Sequence, residues 1–514
     1  MKRILYLFAF FAIAAISVSS CDFIDKGNYE LSPLTDITID TTGIPLQHVI
    51  VRLEELTINP EVYREGSSEE DFSYEWRITL KPGEDWEKCM IIGTEKHLNS
   101  VIELIPSASY YSLWYRVKDN TTGLLKSIIW RVVVEASSGQ GLVVADSEGG
   151  TTSDLSVIQD TMFTYNWYEK GTTIRRPTLY KRNEFSRVHK TKFNGVIHSM
   201  FAQRLYQDGR YTNFLHGASR NNAFRINTLD YSIVCQGKEL FYDPFIVLDI
   251  DYYYRNGSGS LSAYIINSGK VSNRMSEVQS FVGYRKFGIF SPGDYTCNKF
   301  IACHPVTSGQ AIFYDEGLGK FLKLGTSNTG TAPKEVGTGT SPFNAQNLPG
   351  YQVLGGGLGT FTEARFILKK DTYYGVFCLT NDKTSTPRRL FDISNAPNIA
   401  NAIGFVFPAD QSVIYYSTSS KVYSIRIPQG GAAVYTELYT SPEPITMFEM
   451  LRKTGTTELP YTERCLLVIT YNGTEGKITA LPIPSEGLDL GLVDLTRKAT
   501  FGGFKQISAV AVQD

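Results

Sequence analysis

The sequence predicts an all-β protein with two folded parts, a small β-sandwich followed by a β-propeller whose last strand completes its first blade. Three observations favour this fold class. Tyrosine and phenylalanine are abundant, at 31 and 29 of 514 residues. Short apolar runs alternate with clusters of Gly, Ser, Thr, Asn and Asp, which is typical of strands joined by tight turns. From residue 140 to residue 514, a unit of one strand and one hairpin recurs every roughly 40 to 65 residues, as propeller blades with insertions do.

The first 21 residues predict export and a lipid anchor. Lys2 and Arg3 precede an uncharged apolar run, Ile4–Val18, that is too short for a stable transmembrane helix and matches a secretory signal. Two serines then lead directly into Cys21, which resembles a bacterial lipobox, where the cysteine is acylated and becomes the mature N-terminus. We therefore expect residues 1–21 to be a lipoprotein signal peptide with lipid attachment at Cys21, and residues 22–28 to be a tether. A plain secretory signal with an incidental Cys21 is the alternative.

Residues 29–136 predict the β-sandwich. Phe72–Ile78 alternates as a half-buried strand does, with Trp76 on its apolar face. Similar runs are present at Asp36–Asp40, Ser112–Val117 and Ser127–Val134. A buried tryptophan on a middle strand, together with a hairpin before the final strand, is typical of an immunoglobulin-type sandwich.

The motifs of this domain carry a family resemblance. Tyr74-x-Trp76, then Tyr115-x-Val117-x-Asp119, a turn ending in glycine and a valine-rich closing strand resemble a PKD-like module. Directly behind a lipobox, the module resembles the PKD-like lipoproteins that accompany SusC/SusD-type uptake systems. That resemblance implies an outer-membrane location, facing the cell exterior, and partnership with a TonB-dependent transporter and neighbouring surface lipoproteins.

Residues 140–514 predict the propeller. Gln506–Val512 reads as the leading strand of a blade that has no hairpin of its own, whereas Gly141–Ala145 and Leu155–Ile158 read as a hairpin without a leading strand. We therefore expect the C-terminal strand to complete the first blade. Six further units are predicted to begin near Ile197, Phe245, Phe300, Ala364, Ala402 and Ile445. The total is seven blades. Six or eight remain alternatives because the glycine-rich segment 334–359 is hard to place, and a two-sheet sandwich is the rival fold.

The net charge and the lack of known catalytic motifs restrict the classes of function that the chain could have. A net charge of −2 gives no electrostatic footprint for nucleic acid. The chain has no Gly-x-Ser-x-Gly elbow, His-Glu-x-x-His motif or phosphate loop, and its six histidines are scattered. We therefore predict no catalytic residues, metal or cofactor. Asp249 and Asp251 share one strand face. The alternative to this prediction is that these two carboxylates bind calcium or act as a general acid and base.

Two aromatic stripes are the predicted ligand-binding residues. One is the run Tyr165-Asn166-Trp167-Tyr168, with Trp167 and Tyr168 as the predicted ligand contacts, and the other is Tyr252, Tyr253 and Tyr254, both near turn-rich stretches. Exposed aromatic rings beside Asn, Asp and Arg suit stacking on sugars or gripping extended peptides, and ordinary blade packing is the alternative.

These predictions describe a non-catalytic surface lipoprotein that binds a glycan or oligopeptide nutrient, docks to an uptake complex, or does both. Two alternatives remain. The first is a propeller-based hydrolase or lyase acting on polysaccharide, which a cluster of Asp, Glu and His at the central funnel would favour. The second is a purely structural subunit of a surface lipoprotein assembly, which an exposed apolar patch without a polar pocket would favour.

Overall fold

The structure is a computed structural model. It describes residues 35–81, 84–136, 139–207, 210–255, 263–274, 286–302, 311–324, 331–337, 339, 341–360, 363–382, 384–409, 411–428, 432–452 and 458–513. The chain divides into two compact units. The first, here called the sandwich unit, comprises the described residues within Met1–Ile50, Glu54–Ile102 and Ser107–Val134. The second, the propeller unit, comprises those within Val51–Leu53, Glu103–Pro106 and Glu135–Asp514. Cys21 and the predicted signal and tether lie outside the described residues.

Nine strands are described in the first part of the chain. They are β1 (Thr38–Asp40), β2 (Gln47–Val51), β3 (Glu55–Ile58), β4 (Glu61–Tyr63), β5 (Phe72–Ile78), β6 (Met90–Gly93), β7 (Leu98–Val101), β8 (Tyr111–Asp119) and β9 (Leu125–Glu135). Five of them form one sheet in the order β2-β9-β8-β5-β6, and β1 pairs with β4 and β3 with β7. The predicted strands at residues 72–78, 112–117 and 127–134 are confirmed.

Tryptophan forms the centre of the sandwich core. Trp76 on β5 and Trp130 on β9 are fully buried, with ring centroids 5.5 Å apart. Tyr115 on β8 lies between these strands, and its ring centroid is 4.1 Å from that of Trp76. The Trp76 indole N–H donates to the carbonyl of Glu95 at 2.8 Å, so its polar atom is satisfied inside the core. The predicted buried tryptophan on a middle strand is therefore confirmed.

The described residues of the propeller unit form seven antiparallel sheets, each built from strands that follow one another along the chain. The first contains β10 (Gly141–Glu148), β11 (Thr152–Gln159), β12 (Leu179–Lys181) and the short β13 (Phe193–Asn194). The second contains β14 (Ser199–Gln207), β15 (Arg210–Ser219), β16 (Asn222–Asn227) and β17 (Ile233–Gln236). The third contains β18 (Ile250–Arg255), β19 (Ala263–Asn267) and β20 (Lys270–Arg274).

The other four sheets repeat this plan with four strands each. The fourth contains β21 (Ile301–Ala302), β22 (Ala311–Asp315), β23 (Lys320–Leu324) and β24 (Lys334–Glu335). The fifth contains β25 (Gln352–Thr360), β26 (Glu363–Lys370), β27 (Tyr373–Thr380) and β28 (Pro387–Asp392). The sixth contains β29 (Gly404–Val406), β30 (Val413–Ser417), β31 (Lys421–Arg426) and β32 (Val434–Thr440). The seventh contains β33 (Ile445–Met450), β34 (Cys465–Tyr471), β35 (Gly476–Pro482) and β36 (Ala499–Phe504).

The last strand, β37 (Gln506–Gln513), belongs to the first sheet, whose order is β12-β11-β10-β37. The register aligns Leu142 with Val512 and Val144 with Val510. The tail of the chain therefore supplies the leading strand of the first blade. This confirms both the seven-bladed propeller and its closure by the C-terminal strand.

One predicted blade boundary is wrong. Ala364, the predicted start of the fifth blade, lies in the second strand of that sheet, whose leading strand β25 runs through three consecutive glycines. Glycine is depleted in strands, which hid β25 from sequence analysis. Close packing on both sides explains these glycines, because a Cβ on Gly356 would lie 2.6 Å from the Phe366 ring on the paired strand β26, and one on Gly355 would lie 3.0 Å from Phe405 on the leading strand β29.

Helices are few. The described residues include one α-helix, α1 (Glu184–His189), which packs on β11. Short 3-10 turns occur at Glu69–Asp71, Trp86–Lys88, Gly237–Leu240, Ile399–Asn401, Ser485–Gly487 and Leu495–Arg497. Within the described ranges, none of the helices has the length and apolar character needed to cross a bilayer.

Candidate functional site

A surface groove of about 510 Å³ lies where the first and seventh sheets of the propeller unit meet. Its volume is within the range of small-ligand sites. Loops supply the lining residues, which are Thr161, Met162, Thr164, Tyr165, Asn166, Tyr168, Arg175, Pro460, Tyr461, Thr496 and Arg497. The first seven come from the loop between β11 and β12, which we call the first-sheet wall. The last four come from two loops of the seventh sheet, which we call the seventh-sheet wall.

Asp160 organises the start of the first-sheet wall. Its carboxylate accepts the Met162 backbone N–H at 3.0 Å and the Thr178 hydroxyl at 2.6 Å, so one side chain ties the two ends of the loop together. Met162 and Phe163 then turn into the core beneath the groove, where the Phe163 ring lies 4.9 Å from that of Phe501. The groove floor is therefore continuous with the hydrophobic core.

The rest of the first-sheet wall is a small hairpin. Tyr168 and Arg175 form an isolated antiparallel bridge, and the Arg176 N–H donates to the Trp167 carbonyl at 3.2 Å. Tyr168 and Arg175 therefore sit side by side on the wall. Tyr165 and Tyr168 are 45% and 36% exposed, so both rings are available to a ligand.

The seventh-sheet wall has its own anchor at Asp494. Its carboxylate accepts the Thr496 backbone N–H at 2.9 Å and lies 3.4 Å from the Arg497 guanidinium. Hydrogen bonds from Thr496, and then the Arg497 charge, hold the pKa of Asp494 below its usual value. The carboxylate therefore stays ionised and already satisfied by residues of its own turn.

Gln140 connects the two walls. Its side-chain oxygen accepts the Tyr165 N–H at 2.6 Å, and its amide nitrogen donates to the Glu458 carbonyl at 2.9 Å. One amide thus bridges a loop of the first sheet to a loop of the seventh. This bridge ties the two walls to each other at one side of the groove.

The predicted aromatic pair of the first stripe separates in the structure. Tyr168 lines the groove, whereas Trp167 lies behind it, with its indole N–H donating to Pro177 at 3.1 Å and Arg176 stacked 5.3 Å from its ring centroid. A role in ligand binding stays a prediction for Tyr168, and Trp167 is placed to support the hairpin.

In the second stripe, the described side chains of Tyr252 and Tyr253 are half-buried and buried, respectively. Tyr253 is 1% exposed, and its hydroxyl lies 2.7 Å from His216 Nδ1, in a hydrogen bond whose direction depends on the imidazole tautomer. We therefore correct its predicted ligand-binding role to core packing. Tyr252 is half-buried, and burial raises its pKa. Tyr254 belongs to β18, and its side chain lies outside the described part of the structure.

Tyr252 has a carboxylate for a neighbour. It lies on the leading strand of the third sheet, and after burial the next cause of its raised pKa is the charge of Glu449, on the leading strand of the seventh sheet. Burial also raises the pKa of Glu449, and Arg452 and Lys299 partly offset this. Contacts between leading strands, such as β14 with β18 and β29 with β33, place Tyr252 and Glu449 on the inner strands of their sheets. Glu449 is nevertheless reachable by water.

The two aspartates considered for calcium are ion-paired instead. Arg220 contacts both Asp249 and Asp251, with 2.6 Å between its Nη1 and Asp251 Oδ1. Ser268 and the Gly269 N–H bind their remaining oxygens. Within the described ranges, no group of three or more His, Cys, Asp or Glu residues is arranged to hold a metal ion.

Sequence reasoning missed most of the groove. Arg175 follows the predicted stripe by a few residues. A prediction that residues 167–176 form a hairpin would have placed Arg175 beside Tyr168. Tyr461 and Arg497 lie roughly 300 residues further along the chain, and no local pattern links them to Tyr168. They meet because the ring closes, which is a long-range property.

Family comparison supports the N-terminal assignment. Residues 22–180 match the model of the PKD-like family. The matched range covers the described sandwich unit and extends through β10 and β11 into β12. A comparison with curated proteins found no match.

Comparison with solved structures returned several proteins at low identity. A quinonprotein alcohol dehydrogenase-like protein from Bacteroides thetaiotaomicron is 12% identical, with 93% of this chain and 99% of that chain covered and a TM-score of 0.44. The aldose sugar dehydrogenase from Streptomyces coelicolor is 11% identical, with 61% and 94% covered and a TM-score of 0.28. The WD40 domain of SCAP from fission yeast is 10% identical, with 72% and 90% covered and a TM-score of 0.32.

None of these likenesses carries an argument about activity, and the fold assignment rests on the strand pairing described above. The protein thus has a PKD-like N-terminal domain followed by a β-propeller.

Proposed function

We propose that this chain is a non-catalytic, lipid-anchored surface protein that captures a glycan in the groove between its first and seventh propeller sheets. The observation that carries this proposal is the lining of the groove. Three tyrosines, Tyr165, Tyr168 and Tyr461, stand beside threonine hydroxyls and the Asn166 amide. Aromatic faces match the apolar faces of sugar rings, and hydroxyl and amide groups match their hydroxyls.

Glycan is favoured over oligopeptide by where the lining residues lie. Extended peptides are commonly bound by adding a strand to an open sheet edge, where the main chain supplies the affinity. The groove lining comes from loops and presents side chains. Discrete side-chain groups around a groove suit a ring-shaped ligand better than an extended backbone.

A binding screen with matched variants tests the proposal. We expect the purified full chain to bind at least one polysaccharide on a glycan array, and Tyr168→Ala to weaken that binding by about tenfold, since a buried aromatic contact is worth on the order of 1 kcal/mol or more. Tyr242→Ala is the control, because Tyr242 is 60% exposed but does not line the groove. Absence of binding to any polysaccharide, or equal loss in both variants, would contradict the proposal.

The anchor and the transporter partner belong to the same proposal. They are supported by the N-terminal sequence, with its charged head, apolar run and Cys21, and by the PKD-like match that begins at residue 22. In this arrangement the lipid holds the chain on the outer membrane, facing the exterior, and the propeller presents captured glycan to a SusC/SusD-type transporter. Co-purification of a TonB-dependent transporter from detergent-solubilised membranes is the expected result.

Glu449 favours one second candidate, a polysaccharide hydrolase or lyase. A carboxyl group with a raised pKa, reachable by water and within electrostatic range of a phenol, resembles a general acid. If this candidate is correct, the full chain will release oligosaccharides from a bound polymer and Glu449→Gln will abolish the release. Binding without release, unchanged in Glu449→Gln, supports the non-catalytic function.

A further inference from the structure

We infer that the groove selects acidic polysaccharides, those carrying carboxylate or sulfate groups, over neutral ones. The inference rests on the proposed function and concerns the charge of its ligand. It starts from the observation that the two charged residues that line the groove, Arg175 and Arg497, are both cationic. They stand on opposite walls.

Arg175 is available to a ligand. Its side chain is exposed, and no described carboxylate forms an ion pair with it. The backbone bridge to Tyr168 places it beside an aromatic ring. A planar guanidinium presents paired N–H donors that match a carboxylate or sulfate bidentately. A sugar ring stacked on Tyr168 would therefore bring an acidic substituent within reach of Arg175.

Arg497 adds a second cation from the seventh-sheet wall. Its guanidinium is 66% exposed and lies 3.4 Å from Asp494, whose carboxylate also binds Thr496. The ion pair orients Arg497 while leaving most of its surface open. An anion on the ligand would meet a guanidinium group from each wall, whereas the neighbouring carboxylates of Asp160 and Asp494 are not among the lining residues and accept hydrogen bonds within their own loops.

The positive groove contrasts with the rest of the chain. The whole sequence carries a net charge of −2, so general attraction cannot concentrate polyanions on this protein. Selection for acidic groups must come from the groove itself. It should weaken as salt screens the exposed cations, because the Debye length falls from about 10 Å at 0.1 M to about 3 Å at 1 M ionic strength.

The test compares polygalacturonate with its carboxyl-reduced form, which has the same linkages without the charge. We expect the full chain to bind polygalacturonate more tightly, and Arg175→Gln to reduce that affinity by about tenfold, as loss of one charge-assisted pair does. Arg176→Gln is the matched control, since Arg176 is adjacent and exposed but stacks on Trp167 outside the groove. Thermal unfolding of both variants checks that they fold.

Other outcomes separate this inference from the proposed function. Equal binding of the carboxyl-reduced polymer, with Arg175→Gln unchanged, overturns acidic selectivity and leaves glycan capture in place. Failure to bind polygalacturonate and dextran sulfate while a neutral polysaccharide binds overturns acidic selectivity alone, and failure to bind any polysaccharide on the array overturns both. Tighter binding of poly-glutamate than of polygalacturonate overturns the saccharide assignment and points to an acidic peptide.

Discussion

The surroundings of Asp146 disfavour the ionised form of its carboxyl group. It lies on β10 directly opposite Asp154 in the strand register, and it accepts the Lys505 backbone N–H at 2.7 Å. Burial, together with the Asp154 charge, raises the pKa of Asp146 above its usual value. The folded state therefore favours the protonated form, and stability falls as pH rises from the ordinary aspartate pKa through the raised one.

Asp146→Asn removes this charge and keeps the acceptor oxygen. We expect the variant to be more stable than the wild type at pH 7.5, and the difference to shrink as pH falls below the ordinary aspartate pKa, where Asp146 is neutral in both folded and unfolded chains. Denaturant unfolding at pH 3.5 and 7.5 measures it. A variant less stable than the wild type at pH 7.5 would show that the charge is stabilising.

In contrast to Asp146, Glu363 is a buried carboxylate whose negative charge is balanced by two arginines. Arg389 Nε and Arg365 Nε lie 2.8 and 2.9 Å from its oxygens, and Glu363 and Arg365 are at most 1% exposed. Burial alone would raise the pKa of Glu363, but the two arginines lower it. Its contribution to stability is therefore present above the ordinary glutamate pKa and is lost as pH falls through the lowered value.

Glu363→Gln would leave two arginines without their counter-charge. Breaking a buried pair from one side costs about 3–5 kcal/mol, so we expect a loss of that order at pH 7 by denaturant unfolding. Glu437→Gln is the control, because its 2.8 Å ion pair with Lys421 is solvent-exposed and should change stability little. Equal losses in the two variants would refute the distinction.

The strand β25 depends on glycine. A Cβ on Gly356 would lie 2.6 Å from the ring of Phe366, which is fully buried and has no space to move. We expect Gly356→Ala to lower the free energy of unfolding by about 1–3 kcal/mol, as overpacking does. Gly317→Ala is the control, since its new Cβ would meet only the Asp315 carboxylate at 3.4 Å. Thermal unfolding distinguishes them, and equal midpoints would argue against the crowding.

The closure of the first sheet by β37 leads to a prediction about stability. Ile507 and Val512 are buried in the cluster that also contains Leu142 and Val144. Burying each such side chain contributes roughly 1.5–3 kcal/mol, so a chain ending at Lys505 should lose at least about 3 kcal/mol. A synthetic peptide of residues 506–513 added in trans should restore part of the loss. A truncated chain that unfolds at the wild-type midpoint would contradict the closure.

The same elements show how far the sequence alone could go. Hairpins such as residues 311–324 and 465–482 were predictable because alternation and turn residues are local signals. The strand β25 was not predictable, because its glycines are required by packing against neighbouring strands. The role of Tyr253 was mistaken because three successive tyrosines do not reveal which ring faces the core. The sequence alone did not predict that the two groove walls lie next to each other, because this depends on closure of the ring by β37.

The proposed lipid anchor at Cys21 leads to a further prediction. We expect Cys21→Ala to abolish incorporation of labelled palmitate and to move the protein from the membrane to the soluble fraction, since acylation supplies most of the membrane affinity. Cys89→Ala is the control, because Cys89 is buried in the sandwich unit. Membrane retention of Cys21→Ala would favour a plain secretory signal together with another means of attachment.

The Gln140 bridge has a consequence for synthesis and turnover. Because the two walls come from distant segments of the propeller sequence, the groove can form only after residues 458–497 have been synthesised and have folded. If the proposed function is correct, removal of β37 would weaken glycan binding although most of the blades would remain. Conversely, an occupied pocket acts as a clasp, and a ligand at a hundred times its dissociation constant would add about 2.7 kcal/mol against opening. If the chain is the proposed glycan receptor, a bound glycan would then slow its proteolysis.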